Sequence, residues 1–268
     1  MAPSNEDEAA GGERVSLSRY FLPPSAWPDA ARSGVELELV GEEAHHCVRV
    51  RRQREGQEVE IFDGEGQVAR CRLTALGRDS LRALVLEARR HAPLPWRVHL
   101  QSALIKGEAW HWLVEKAVEL GAASLQPVVT ARVVARMEEA QTERKLEKWR
   151  RHMLEAAKQC HTPFLPTLHA PVTLEQAVNQ LARTELGVLP SLAGRDTGLL
   201  PQLRRWQGLR EARVLTGPEG DFTAEEEACA LAAGYQPVTL GPLILRAETA
   251  VTAVLAVLGQ AWGFEEAD

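Results

Sequence analysis

The sequence predicts an α/β protein of two unequal parts, a small β-rich domain followed by a larger domain on a mostly parallel sheet. Three observations carry this reading. Across residues 35–86 apolar and polar residues alternate in short runs broken by glycine. His91-Ala92-Pro93-Leu94-Pro95 then interrupts the chain with a stiff linker that continues neither a helix nor a ladder. Beyond the linker, strand-like and helix-like stretches alternate, as parallel strands with crossover helices do.

In the first part, Val35-Glu36-Leu37-Glu38-Leu39 has a period of two, and Val59-Glu60-Ile61-Phe62 follows it less cleanly. Between them, residues 41–52 (GEEAHHCVRVRR) read as a short helix or strand with a basic end. Asp63-Gly64 is a hairpin signal, with further strands at 68–73 and 81–86. These strands make a small barrel-like unit.

In the second part, a strand at 97–102 leads to a helix at 108–120 ended by Gly121. Ala109, Leu113, Ala117 and Leu120 mark its inner face; Glu108, His111, Glu115 and Glu119 mark its outer face. A strand at 125–129 precedes a long helix at 143–160, with Leu146, Trp149, Met153 and Ala157 inward. Thr173-x-x-Gln176 and Thr223-x-x-Glu226 fit the capping box that starts a helix. Strands at 186–189, 213–216 and 237–240 follow, then a last helix at 247–259 that is apolar around more than one face.

Composition narrows the function. No apolar run approaches the roughly 20 residues that cross a bilayer. The acidic stretch 1–13 has no apolar core, so it reads as a disordered tail and not as a signal peptide. The four cysteines are widely spaced and never form C-x-x-C, which fits a reducing, cytoplasmic compartment better than a zinc ribbon or a disulfide framework. The net charge of −6 is uneven. Residues 14–97 carry a net +2 with only arginine as base, whereas the flanking regions are acidic. Arginine's planar fork suits phosphate, which makes Arg19, Arg49, Arg51 and Arg52 candidate phosphate contacts, although a bias for arginine codons gives the same excess over lysine.

In an open α/β sheet, ligands bind beyond the carboxyl ends of the strands. Three Gly/Pro-rich loops leave strands there: Leu189-Pro190-Ser191-Leu192-Ala193-Gly194, Thr216-Gly217-Pro218-Glu219-Gly220-Asp221 and Leu240-Gly241-Pro242-Leu243-Ile244-Leu245-Arg246. Such turns let main chain approach a ligand closely. Dinucleotide, P-loop and nucleophile-elbow motifs are missing. No histidine has metal-ligand spacing, and the adjacent His45-His46 cannot share a helix face, so no metal is expected.

Residues 215–223 and 240–250, in that order, resemble the RsmE family, the 16S rRNA (uracil-N3) methyltransferases of the SPOUT superfamily. Arg19-Tyr20-Phe21, His45-His46, Ile61-Phe62-Asp63-Gly64, Lys106-Gly107, the stretch 112–121 and Glu155-Ala156-Ala157-Lys158-Gln159 extend the resemblance over roughly 18–260. The resemblance implies a PUA-like RNA-binding β-barrel (14–92) and a SPOUT domain with a C-terminal trefoil knot (93–268), and gives the acidic tail (1–13) no counterpart. It further implies a homodimer acting on 16S rRNA or the small ribosomal subunit. On this basis Leu189, Thr216, Gly217, Pro218, Glu219, Gly220, Leu240, Gly241, Leu243, Ile244 and Leu245 would cradle S-adenosylmethionine. Arg246 would face the uridine, and Glu248 or water would serve as base. A SPOUT methyltransferase for another rRNA or tRNA position, or a non-catalytic RNA-binding protein, would share these features. The chain departs from the family pattern at Asp221, where glycine is common, at Cys160-His161-Thr162-Pro163, and at Val50-Arg51-Arg52.

Overall fold

A computed structural model describes residues 17–28, 32–132, 139–191, 197–206 and 208–263. The acidic stretch 1–13 and the end of the first Gly/Pro loop, 192–194, lie outside the described residues.

The N-terminal sheet is five-stranded, in the order β1 (Arg19–Phe21), β3 (Glu58–Phe62), β4 (Gln67–Leu76), β5 (Ser80–Arg90), β2 (Glu36–Val40). Only β1 and β3 pair in parallel; the other neighbours are antiparallel. Register shifts in β4 between Arg70 and Cys71 and between Leu73 and Ala75 curl the sheet around its own core. The path stays open, because β1 and β2 are not paired among the described residues, so the expected barrel is a curled sheet. Within residues 41–52 the chain is helical: α1 (Glu42–His45) runs on into a wider turn over His46–Val50, and Arg51 and Arg52 follow it. Alternation explains the register, since Leu37 and Leu39 point into the core while Glu36 and Glu38 face water.

The C-terminal sheet has the order β12 (Gln236–Val238), β10 (Leu186–Pro190), β11 (Glu211–Thr216), β6 (Arg97–Ala103), β7 (Ser124–Val129), β8 (Thr167–Leu168), with β9 (Val172–Thr173) also on β7. Every pair is parallel. Helices α2 (Gly107–Glu119), α3 (Glu139–Cys160), α5 (Leu199–Leu203) and α7 (Ala247–Gly263) belong with the core on one face. Helices α4 (Leu174–Val178) and α6 (Ala224–Ala232) cover the other. Both expected capping boxes are present, at Thr173–Gln176 and Thr223–Glu226. As expected, α3 buries Leu146, Trp149, Met153 and Ala157.

One face needs correction. Helix α2 buries Trp110, Leu113, Val114, Ala117 and Val118, while Ala109 and Leu120 stay half-buried. Its inner stripe is turned toward Trp110, which packs 5.1 Å from Trp149 between ring centroids. The indole Nε1 of Trp110 is buried without a hydrogen-bond partner. Trp110→Ala is therefore expected to cost about 3–5 kcal/mol. Trp110→Phe, which removes the orphan donor and keeps a ring, should cost clearly less. Urea unfolding of the two variants against wild type checks the order.

Candidate active site

Strands β10, β11 and β12 run parallel side by side, so their carboxyl ends open at one edge of the sheet. The loops that leave them enclose a cavity of about 680 Å³. Its wall holds Thr216 to Asp221 from the second loop, Leu240, Gly241 and Leu243 to Arg246 from the third, and Pro190 and Ser191 from the first. Ala109 in the first turn of α2 and Glu248 in the first turn of α7 complete it.

Ten of the eleven expected cradle residues line this cavity. Leu189 does not. Its side chain is fully buried in the core beneath α4 and α6, with Val128, Leu215 and Tyr235. Successive residues of a strand face opposite sides, and the chain turns toward the cavity only at Pro190 and Ser191. A strand buried on both faces gives no periodic clue to which residue ends inside, which is why those two were missed.

The cavity wall mixes buried polar and exposed apolar side chains. Thr216 is buried, and its hydroxyl has no protein partner. Leu243 and Ile244 are 75% and 76% exposed, an unusual state for large aliphatic side chains. Arg246 is exposed beside them, and Glu248 is half-buried. The second loop is clamped from two sides. Lys106 N–H donates to Glu219 Oε1 at 3.4 Å, and Arg132 Nη1 donates to the Asp221 carbonyl at 3.2 Å. Gly217 has no room to spare, since a Cβ there would lie 3.2 Å from Asp221 Oδ1 and 3.3 Å from the Phe222 ring.

Asp221 occupies the left-handed region at φ 62°. Its N–H donates to the Pro218 carbonyl at 2.9 Å, closing a tight turn, and its own Oδ1 accepts from Phe222 N–H at 2.8 Å. Aspartate is one of the few residues that tolerates this conformation, because its short side chain bonds locally.

The arginines divide. Arg49, Arg51 and Arg52 are exposed on and just after the His46–Val50 turn. Arg19 is a correction. Its side chain is only 2% exposed, 2.7 Å from Glu60, and its guanidinium is used inside the protein. Burial lowers its pKa, and Glu60 opposes that shift. It is not free to meet phosphate. Among the described residues, one cluster has the spacing of a metal site: His99, Glu185 and Glu211, at the amino ends of the strands. There Glu185 already holds Arg213 at 2.7 Å.

Comparison with known proteins adds to this geometry. A family model described as an RNA methyltransferase domain matches residues 92–259, and one described as an RNA methyltransferase PUA domain matches 39–86. Ribosomal RNA small subunit methyltransferase E of Synechocystis is 36% identical over 220 residues, 81% of this chain and 71% of that protein. The chain belongs to the ribosomal RNA small subunit methyltransferase E family. The family's Mycobacterium bovis protein is 32% identical over 230 residues, covering 85% of this chain and 87% of its own length. A crystal structure of the Neisseria gonorrhoeae family protein bound to S-adenosyl methionine is 27% identical, with a TM-score of 0.82 over 93% of this chain and 100% of that one. The putative methyltransferase Lpg2936 of Legionella pneumophila, in complex with the cofactor SAM, is 26% identical with a TM-score of 0.80, over 92% of this chain and 98% of that one. The fold is therefore the family's, a parallel α/β sheet preceded by a PUA domain.

The departure from the family pattern at Asp221 falls on the left-handed residue, where glycine is the easiest occupant. Asp221→Gly should leave stability nearly unchanged. Asp221→Ala, with neither glycine's freedom nor the local bond, should cost about 1–2 kcal/mol. Thermal unfolding gives the order, and an alanine variant as stable as wild type contradicts it.

Proposed function

We propose that this protein transfers the methyl group of S-adenosylmethionine to N3 of a uridine in the 16S rRNA of the small ribosomal subunit, and works as a cytoplasmic homodimer. A PUA-like domain at 14–92 would hold the RNA, and a SPOUT domain at 93–268 would carry out the transfer. One observation supports the chemistry above all: the three loops that line the cavity bring exposed Arg246 into its wall beside Leu243, Ile244 and the main chain of Thr216 to Asp221.

The residues present fit the cofactor. Thr216, Gly217 and Gly220 offer a hydroxyl and close main chain, and Leu240, Leu243, Ile244 and Leu245 offer apolar cover. Bound there, S-adenosylmethionine supplies a methyl group already activated by its sulfonium. The chain's own task is to make the uridine nucleophilic. N3 of uracil carries a proton, and its lone pair is free only once that proton leaves, to Glu248 or water. Arg246 would stabilise the negative charge that then spreads to O2 and O4, as an oxyanion hole does. The new N3–C bond forms as the S–C bond breaks, and the proton ends on the base. Holding both partners in one cavity adds several kcal/mol through proximity.

Two further observations support the wider reading. Thr239 N–H donates to the Thr197 carbonyl at 2.9 Å and Leu199 N–H to the Thr239 carbonyl at 3.2 Å. The segment after β12 thus lies along the β10–β11 connection, as a trefoil-knotted chain requires. On α7, Thr252, Ala253, Ala256 and Val257 form a half-exposed, mostly apolar stripe, which suits a two-fold partner. No helix among the described residues is long and apolar enough to cross a membrane.

Calorimetry is expected to give about one S-adenosylmethionine site per chain, unchanged by a chelator. Arg246→Ala should lower the rate of labelled methyl transfer to 16S rRNA by about 10²–10³-fold and leave cofactor affinity within about twofold. Binding lost on chelation, or a variant with full activity, contradicts the assignment. Reversing Arg51 and Arg52 to Glu should reduce the salt slope of log K for RNA by roughly one unit per lost phosphate contact. An unchanged affinity and slope place the RNA elsewhere.

A further inference from the structure

Three segments that resemble the family pattern lie outside the cavity: Arg19-Tyr20-Phe21, Ile61-Phe62-Asp63-Gly64 and Glu155-Ala156-Ala157-Lys158-Gln159. In the fold they meet at one seam between the curled sheet and the end of α3. Arg19 Nη1 donates to the carbonyl of Ala157 at 2.9 Å, an acceptor in the last turn of α3, and to that of Thr162 at 2.8 Å just beyond the helix. Its guanidinium carbon sits 4.1 Å from the Phe62 ring centroid. Lys158 Nζ, on a side chain 8% exposed, is 2.5 Å from Glu43 and 2.9 Å from Glu155. The second oxygen of Glu43 accepts from Phe21 N–H at 2.9 Å. Main chain closes the seam beside them, with Gly66 N–H donating to the Pro163 carbonyl at 3.0 Å and Leu165 N–H to the Gly64 carbonyl at 2.8 Å.

Buried charge is an inefficient source of stability, because desolvation offsets most of the attraction. Two buried cations at one seam therefore point to geometry. The path they complete is short. Glu43 belongs to α1, whose continuation carries Arg49, Arg51 and Arg52. Lys158 belongs to α3, which packs on α2, and the first turn of α2 lines the cavity at Ala109. We propose that Arg19 and Lys158 are positioning residues: they fix the arginine-bearing face at the end of α1 relative to the cavity, so that an RNA held by the first presents its nucleotide to the second. The proposal rests on the reading of that face as the RNA contact.

The test compares binding of two RNAs by full-length protein: a structured fragment of small-subunit rRNA long enough to span both regions, and a short oligouridine that reaches only the cavity. Arg19→Met and Lys158→Met are each expected to weaken the long RNA about tenfold and to leave the oligouridine and S-adenosylmethionine within about twofold. Arg19→Lys, which keeps the charge but cannot reach all three acceptors, should fall between. Small-angle scattering should show a broader distance distribution for the Met variants. Should Arg19→Met fail to fold, Lys158→Gln carries the same comparison. Wild-type affinity for the long RNA, equal losses for both RNAs, or an unchanged scattering profile overturns the proposal. If Arg51→Glu and Arg52→Glu leave RNA binding intact, the arginine-face reading fails, and scattering still decides whether the seam holds the two parts together.

Discussion

Parallel pairing of β10, β11 and β12 is the constraint on which the site depends. In a parallel sheet every strand ends at the same edge, so three short Gly/Pro loops are enough to close a cavity there. Strand β11 is central to this arrangement. It pairs with β10 on one side and β6 on the other, and its last residue is Thr216, which lines the cavity. An antiparallel strand at that place would send one of the loops to the opposite edge.

A buried polar brace keeps those strands in register. Gln101 of β6 is fully buried, accepts from Tyr235 Oη at 2.5 Å and donates to the Ala177 carbonyl at 2.8 Å. It ties the chain just before β12 to α4 across the centre of the sheet. Burial holds the Tyr235 hydroxyl protonated far above its ordinary range, so the donor persists at any working pH. With both partners satisfied, this bond specifies one arrangement of the strands and not merely a packed one.

Much of this was legible in the sequence, and the misreadings have physical causes. Capping boxes at Thr173 and Thr223 could be read because a cap needs only two residue types at fixed spacing. The loops at Thr216 and Leu240 stood out because glycine and proline punctuate a chain directly. Leu189 is expected in the cradle only from the resemblance, and the inner stripe of α2 is read without Trp110, because strands buried on both sides and helices apolar on more than half their girth erase the periodic signal. The strands β8 and β9 and helices α4 and α5 are too short to show a period at all. Arg19 was misread for another reason. Arginine is a surface residue in nearly all settings, and only the folded chain shows that Glu60, Ala157 and Thr162 converge on it.

The proposed activity has one chemical outcome, a methyl group on N3 of a uridine in 16S rRNA. Nucleoside mass spectrometry of rRNA from a strain lacking this gene, and from the same strain complemented with it, measures that outcome directly. 3-Methyluridine should be lost from small-subunit rRNA in the deletion, return with the wild-type gene and stay absent with Arg246→Ala. A deletion strain that keeps all its 3-methyluridine, or that loses a different methylated nucleoside, contradicts the account.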